Sequence, residues 1–401
     1  MGVFSKLLYL SFAVTASVNA GEILSVANKD SVIPDTYIVV LKEGVSTQEF
    51  NAHKNWVNEI HRTNLTRRDL GFTGELKHSY DFGGHGLKGY SGKFDATAIQ
   101  EIANDPNVAY VEPDQEVKLD ALVTQSNAPS WGLGRISNRQ AGIRDYHYDD
   151  SAGEGVIVYD VDTGIDISHP DFEGRAIWGS NHVDRVNQDQ NGHGTHVAGT
   201  IGGRAYGVAK KATIVAVKVL DAQGSGTISG IIAGLDWSVN HARQNGVTRR
   251  AALNMSLGGG RSISFNQAAA SAVQAGLFVA VAAGNEGQNA GNTSPASEPS
   301  VCTVGATSSN DAATSWSNYG SVVDVYAPGD AIVSTWPGGG SRSLSGTSMA
   351  SPHVAGLGAY LIALEGISGG SVCDRIKELA QPVVQPGPGT TNRLIYNGSG
   401  R

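Results

Sequence analysis

Three short segments of this 401-residue chain carry side chains that could do chemistry together. Asp162-Thr163-Gly164 directly follows an apolar run. His193 lies in Asn191-Gly192-His193-Gly194-Thr195-His196-Val197-Ala198-Gly199, and Ser348 in Gly346-Thr347-Ser348-Met349-Ala350-Ser351-Pro352-His353-Val354-Ala355-Gly356. A serine hydroxyl is a weak nucleophile until a neighbouring imidazole can take its proton. That imidazole is in turn oriented, and stabilised when charged, by a buried carboxylate. Asp162, His193 and Ser348 are the three types needed. Their chain order differs from the Ser…Asp…His and His…Asp…Ser orders of two other hydrolase classes.

The elements that must position these groups are legible around them. Residues 156–161 form a strand ending at Asp162, where a parallel α/β sheet places functional residues. A helix begins at His193 and another just after Ser348, whose continuation Gly-Leu-Gly-Ala-Tyr-Leu-Ile-Ala-Leu suits burial on most faces. Pro352 is tolerable in a first turn, which has no intrahelical partner for that N–H. Ser348 thus stands at the positive end of a helix, beside free N–H groups that would stabilise an anion; taken alone it reads equally as an ordinary N-cap. Asp160 precedes Asp162 by two positions and on a strand shares its face. A second carboxylate there either raises a pKa or faces a solvated pocket, and the sequence leaves both open.

Further strands at 212–220, 252–257, 277–283 and 301–306 alternate with helices at 228–244 and 265–275. Near-continuous apolar strands between helices indicate an α/β domain: a doubly wound, mostly parallel sheet with helices on both faces. Residues 21–120 differ in texture. Strands at 36–41, 76–80, 90–94 and 108–112 with helices at 46–60 and 97–104 predict a small α+β module. Gly84-x-Gly86-x-x-Gly89 matches a dinucleotide fingerprint, but the run from Tyr90 to Phe94 looks extended rather than helical, so the match is set aside.

Composition limits the function classes. A net charge of −8 with no basic run argues against nucleic acid, and 16% charged residues with 52 glycines suits a packed, loop-rich globule. Lys6, the uncharged run 7–18 and Val18-Asn19-Ala20 read as a secretory signal peptide over 1–20, too short to span a membrane. In an oxidising compartment Cys302 and Cys373, the only cysteines, most simply form one disulfide. His196 and His353 read as packed helix histidines, since no ligand spacing completes a metal site. An aspartic protease needs a second Asp-Thr/Ser-Gly, which is missing. Ser348 is followed by Met349-Ala350 and so breaks the nucleophile-elbow pattern of esterases. A binding protein on a degenerate scaffold would have lost a reactive residue.

The three motifs resemble the catalytic signatures of the subtilisin-like serine proteases. Residues 121–401 are similar nearly end to end to the secreted fungal, proteinase K-like branch, including Ser256-Leu257-Gly258-Gly259-Gly260, Ala282-Ala283-Gly284-Asn285 and 294–302. The resemblance implies a subtilisin-like catalytic domain over 121–401 and a propeptide over 21–120 acting as intramolecular chaperone and inhibitor. It implies a secreted endopeptidase, a monomer acting on proteins and peptides, that binds neither nucleic acid nor membrane. Ser348 would be nucleophile, His193 base, Asp162 its orienting partner, and Asn285 with the Ser348 N–H the oxyanion donors. Gly224-Ser225-Gly226 and Ser256-Leu257-Gly258 would hold an extended substrate by backbone hydrogen bonds. The carbonyls of Pro299 and Val301 with Asp324 would bind Ca²⁺. Val197 departs from the branch, which carries a free cysteine there, and only one of its two disulfides can form.

Self-cleavage is expected near 119–121. Asn292, Asn397 and Asn64 head glycosylation sequons in loops, whereas Asn254 heads one on a buried strand and should stay unmodified. The resemblance implies broad specificity with a preference for large apolar P1 residues, and the walls around Gly258 and Asn285 carry no obvious charge.

Overall fold

The computed structural model describes residues 21–26, 32–63, 75–83, 86–116 and 122–401. The signal segment, the Asn64 sequon and the expected cleavage point lie outside them. The chain divides into two compact units, one up to Leu119 and one from Asp120.

The first unit runs β1 (Glu22–Ile23), β2 (Val32–Leu41), α1 (Thr47–Thr63), β3 (Glu75–Asp81), β4 (Lys88–Lys93), α2 (Ala96–Ala103) and β5 (Val108–Gln115). Its sheet has the order β1-β5-β2-β4-β3. Ser46 opens α1 with a capping box: its hydroxyl accepts from the Glu49 N–H, and Glu49 accepts from the Ser46 N–H at 2.8 Å. Asp95 caps α2 by accepting from the N–H groups of Thr97 and Ala98. Both helices lay apolar faces (Phe50, Val57, Ile99, Ile102) on Val39, Tyr90 and Val111 of the sheet. The stretch after Gly86 is strand β4, so no helix opens where a dinucleotide would need one.

The second unit continues with β6 (Leu122–Gln125), α3 (Trp131–Ser137), β7 (Tyr146–Asp149), β8 (Ile157–Asp162), β9 (Ala176–Asn181), α4 (His193–Gly202), β10 (Thr213–Lys218), α5 (Ile228–Gln244) and β11 (Ala251–Met255). Then come β12 (Gly259–Gly260), α6 (Ile263–Gln274), β13 (Phe278–Ala282), β14 (Thr293–Ser294), β15 (Cys302–Thr307), β16 (Val325–Pro328), β17 (Ile332–Trp336) and β18 (Gly340–Leu344). The chain closes with α7 (Thr347–Glu365), α8 (Gly370–Leu379), β19 (Gln381–Pro382) and β20 (Arg393–Leu394).

The main sheet has the order β19-β20-β16-β15-β13-β11-β8-β10-β9 and is parallel except where β19 meets β20. Strand alternation sorts its two faces. Val156, Val158, Ile214, Ala216, Phe278 and Val304 pack with α4 and α7, whereas Tyr159, Val161, Val215, Leu253 and Val281 pack with α5 and α6. The strand order reverses between β8 and β11, which puts the switch point beside the carboxyl end of β8. Helix α7 is buried from Thr347 through Ile362 apart from Ser348, because it is apolar on every side. Cys302 of β15 is disulfide-bonded to Cys373 of α8.

Candidate active site

Asp162, Ser256 and Asn285 follow the carboxyl ends of β8, β11 and β13, or end them, and His193 and Ser348 open α4 and α7. One edge of the sheet therefore collects every group that the motifs singled out. Asp162 is fully buried, and its carboxylate faces His193 Nδ1 at 2.8 and 2.9 Å. The Thr163 N–H donates to Asp162 Oδ1 at 2.7 Å. The carboxylate fixes the imidazole so that Nδ1 carries the proton and Nε2 is the free base. Burial pulls the His193 pKa down, but the charge and hydrogen bond of Asp162, helped by Asp189, prevail and raise it above 6.5.

Ser348 Oγ donates to the Ser256 carbonyl at 3.1 Å. Among the described residues no hydrogen bond joins it to His193. Asn285 has its amide orientation set by Thr347, whose N–H and hydroxyl donate to Oδ1 at 2.8 and 2.9 Å. The Asn285 NH₂ is thereby left as a donor. Among the described residues the Ser348 N–H meets no acceptor. Leu257, Gly258, Ala283, Asn285, Asn292 and Ser348 share the lining of one cavity of about 340 Å³.

Several supporting residues have no motif-level signal. Asp189 accepts five hydrogen bonds: from Thr163 Oγ1, the N–H groups of Asn191, Gly192 and Thr195, and Thr195 Oγ1, at 2.6 to 3.1 Å. One carboxylate thus ties the end of β8 to the start of α4. Lys218, fully buried, donates Nζ to the Thr163 and Leu220 carbonyls at 2.9 and 2.8 Å. Gly192 sits at φ 101, and a Cβ there would come within 2.5 Å of the Trp336 ring, so only glycine serves before His193. An Asp-x-x-Gly-His spacing could have suggested Asp189 as a cap.

The cleft-edge segments divide. Ser256 is buried and its hydroxyl donates to the Ser348 carbonyl at 2.8 Å, while Leu257 and Gly258 line the cavity. Gly259 and Gly260 already pair with Ser294 and Thr293. Gly224, Ser225 and Gly226 form an exposed loop tied to the His193 segment through Asn191 Nδ2, which donates to the Ala222 carbonyl at 3.0 Å.

Three expectations need correction or refinement. The cavity wall is not uncharged, because Glu286 lines it and accepts from Asn318 Nδ2 at 2.7 Å. Asn397 is not a presented glycan acceptor: it is 2% exposed and its amide nitrogen donates to the His147 carbonyl at 2.7 Å. Asn292 is not hidden, but it stands in the cavity wall. Asn254, on its buried strand, is fully enclosed.

Asp324 is partly buried and accepts from the Thr303 N–H at 2.9 Å, with Lys377 Nζ 3.6 Å from its other oxygen. Burial raises its pKa despite those two partners. Asp324 is a carboxylate of the hard-oxygen type that suits Ca²⁺, and Lys377 is its counter-charge in this structure. Cys302 and Cys373 approach the same carboxylate, but they are bonded to each other and offer no thiolate.

Residues 153–378 match the Subtilase family, and residues 36–120 match Peptidase inhibitor I9. A subtilisin-like protease of Coccidioides posadasii is 60% identical over 99% of this chain and 100% of its own length. Subtilisin-like protease 1 of Arthroderma otae is 56% identical over all of this chain and 82% of its own. The crystal structure of a cold adapted subtilisin-like serine proteinase superposes with a TM-score of 0.64 at 46% identity, covering 68% of this chain and 99% of that one. The chain belongs to the subtilase family of serine endopeptidases and carries an I9-type inhibitor segment, the organisation of a zymogen.

Proposed function

We propose that Ser348 attacks the scissile carbonyl of a protein substrate while His193 Nε2 takes its proton and later delivers it to the leaving amine. Asp162 holds the tautomer and stabilises the imidazolium. The Asn285 NH₂ and the Ser348 N–H bind the oxyanion of the tetrahedral intermediate. The observation that carries this reading is the fixed Asn285 amide: Thr347 claims its oxygen, which leaves its nitrogen as a donor in the cavity that Ser348 also lines. In the substrate complex Ser348 Oγ must turn from the Ser256 carbonyl toward His193, and filling the cavity supplies the occasion. An extended substrate lies between Gly224-Ser225-Gly226 and Ser256-Leu257-Gly258 and gives its P1 side chain to the cavity. Leu257, Ala282 and Ala283 favour an apolar P1, and Glu286 in the wall tolerates a basic tip.

Residues 1–20 direct export, 21–120 assist folding and then inhibit, and 121–401 form the mature, monomeric enzyme, released by self-cleavage near 119–121. Asp324 with the Pro299 and Val301 carbonyls would hold a structural Ca²⁺ and supply it with oxygen ligands. Asn292 and Asn64 are the sequons left as acceptors. Fluorophosphonate labelling of the matured protein, mapped by mass spectrometry, tests the assignment. Label on Ser348 that is lost on prior denaturation supports it; no label on folded, propeptide-free protein refutes it. Ser348→Ala expressed without other proteases should stay unprocessed, and chelation should lower the Tm of unmutated protein but not of Asp324→Asn.

A further inference from the structure

The reaction as assigned above gives Asp160 no task, yet the fold removes it from water completely. It stands on β8 on the face shared with Val158 and Asp162, its Cα in register with Ala216 of β10 and Asn254 of β11. Asn254 Nδ2 reaches its Oδ1 only at 3.4 Å, and its Oδ2 has no hydrogen-bond partner among the described residues. The titratable groups of the elements packed on this face bring it no positive charge. Lys218 of β10 is committed to the Thr163 and Leu220 carbonyls, and His193 of α4 is engaged by Asp162. His196 of α4 and His353 of α7 are held neutral by burial, with pKa values down to about 4. Asp162 and Asp189 are the remaining charged groups, both negative.

From Asp160 a chain of hydrogen bonds leads to the nucleophile. Asn254 Nδ2 also donates to Ser256 Oγ at 3.0 Å, and Ser256 Oγ donates to the Ser348 carbonyl at 2.8 Å. Ser351, one turn into α7, donates to Asn254 Oδ1 at 2.8 Å. We propose that Asp160 is a positioning residue: as an uncharged carboxylic acid it seats the Asn254 amide, and through Asn254, Ser256 and Ser351 it fixes the turn that presents Ser348. This rests on the assignment of Ser348 as nucleophile. Burial, then the charges of Asp162 and Asp189, push the Asp160 carboxyl well up, and the Asn254 contact only partly opposes them. An ionised Asp160 would draw Asn254 Nδ2 off the Ser256 hydroxyl, because a charged acceptor outbids a neutral one. It would also add a second negative charge behind the Asp162–His193 pair.

The test compares matured wild type with Asp160→Val and Asp160→Asn. Asp160→Val should lose about tenfold in kcat with KM kept, since a displaced nucleophile turn slows chemistry rather than binding. Fluorophosphonate labelling of Ser348 should slow in parallel. Asp160→Asn should recover most of kcat and keep the acid limb of kcat/KM where wild type has it. In the infrared, a carboxylic-acid carbonyl band should persist at neutral pH in wild type and be missing from Asp160→Asn. A shift of the Asp160→Asn acid limb to lower pH overturns the neutral acid, and wild-type kcat in Asp160→Val overturns the positioning role. If neither variant matures, wild type decides by the band: its presence, surviving Asp324→Asn, upholds the neutral acid and its absence overturns it. Failure of wild type itself to label at Ser348 would instead sink the nucleophile assignment.

Discussion

His353→Asn should remove a large share of the protein's sensitivity to mild acid. His353 and His196 are both fully buried. His353 Nδ1 donates to the Met349 carbonyl at 2.8 Å, leaving Nε2 without a partner among the described residues. His196 Nε2 lies 3.0 Å from both the Ile332 and Arg342 carbonyls, and its Nδ1 is likewise unpartnered. Burial pulls each pKa from 6.5 down to about 4. The folded state therefore stays unprotonated while the unfolded chain takes up protons. Stability from this source is complete above pH 6.5 and lost progressively as pH falls toward about 4. A drop of that size corresponds to roughly 3 kcal/mol for each histidine. The assay is denaturant unfolding of the Ser348→Ala chain, which cannot digest itself, at neutral pH and near pH 4. Asparagine can reproduce the Nδ1 donor to Met349 without titrating. Whatever its stability at neutral pH, His353→Asn should lose roughly 3 kcal/mol less between the two pH values. An unchanged acid loss would refute the reasoning and place the sensitivity in the carboxylates.

The catalytic assignment yields further expectations. Asn285→Ala should cut kcat by roughly 10²–10³ with little change in KM, the range measured when subtilisin itself loses its side-chain oxyanion donor. The raised pKa of His193 should set the acid limb of kcat/KM above 6.5, because the imidazole must be neutral to act as base; a limb below that value would show that burial outweighs Asp162. Replacing both Cys302 and Cys373 by serine opens a crosslink spanning 71 residues and should cost about 4 kcal/mol, read as a fall in Tm.

Much of the fold was legible because its strands are buried on both faces and read as unbroken apolar runs. The motifs behind the proposed triad were legible because Asp162, His193 and Ser348 each sit among small residues dictated by close backbone approach. What escaped were polar residues whose roles depend on partners distant in sequence. Asp189 looks like a loop acid until Thr163 is folded against it, and Lys218 looks like a surface lysine that interrupts a strand. Glu286 follows Asn285 directly, yet nothing local says that its side chain turns into the cavity wall. Asn397 carries a complete sequon, but its burial is set by the His147 carbonyl, 250 positions away. Helix α3 was missed because Trp131-Gly132-Leu133-Gly134 has two glycines and no apolar period.

The separation between the core helix α7 and the loops that wall the cavity has a consequence for how such an enzyme can diversify. Ser348 rides on a helix enclosed on every side, so almost any change beneath it disturbs the whole sheet. Gly258, Glu286, Gln288 and Asn292 ride on connections after β11 and β13, where side chains face solvent and neighbours are few. On the proposed assignment, substitutions at the cavity wall can therefore change which side chains the cavity accepts while Asp162, His193 and Ser348 stay where they are.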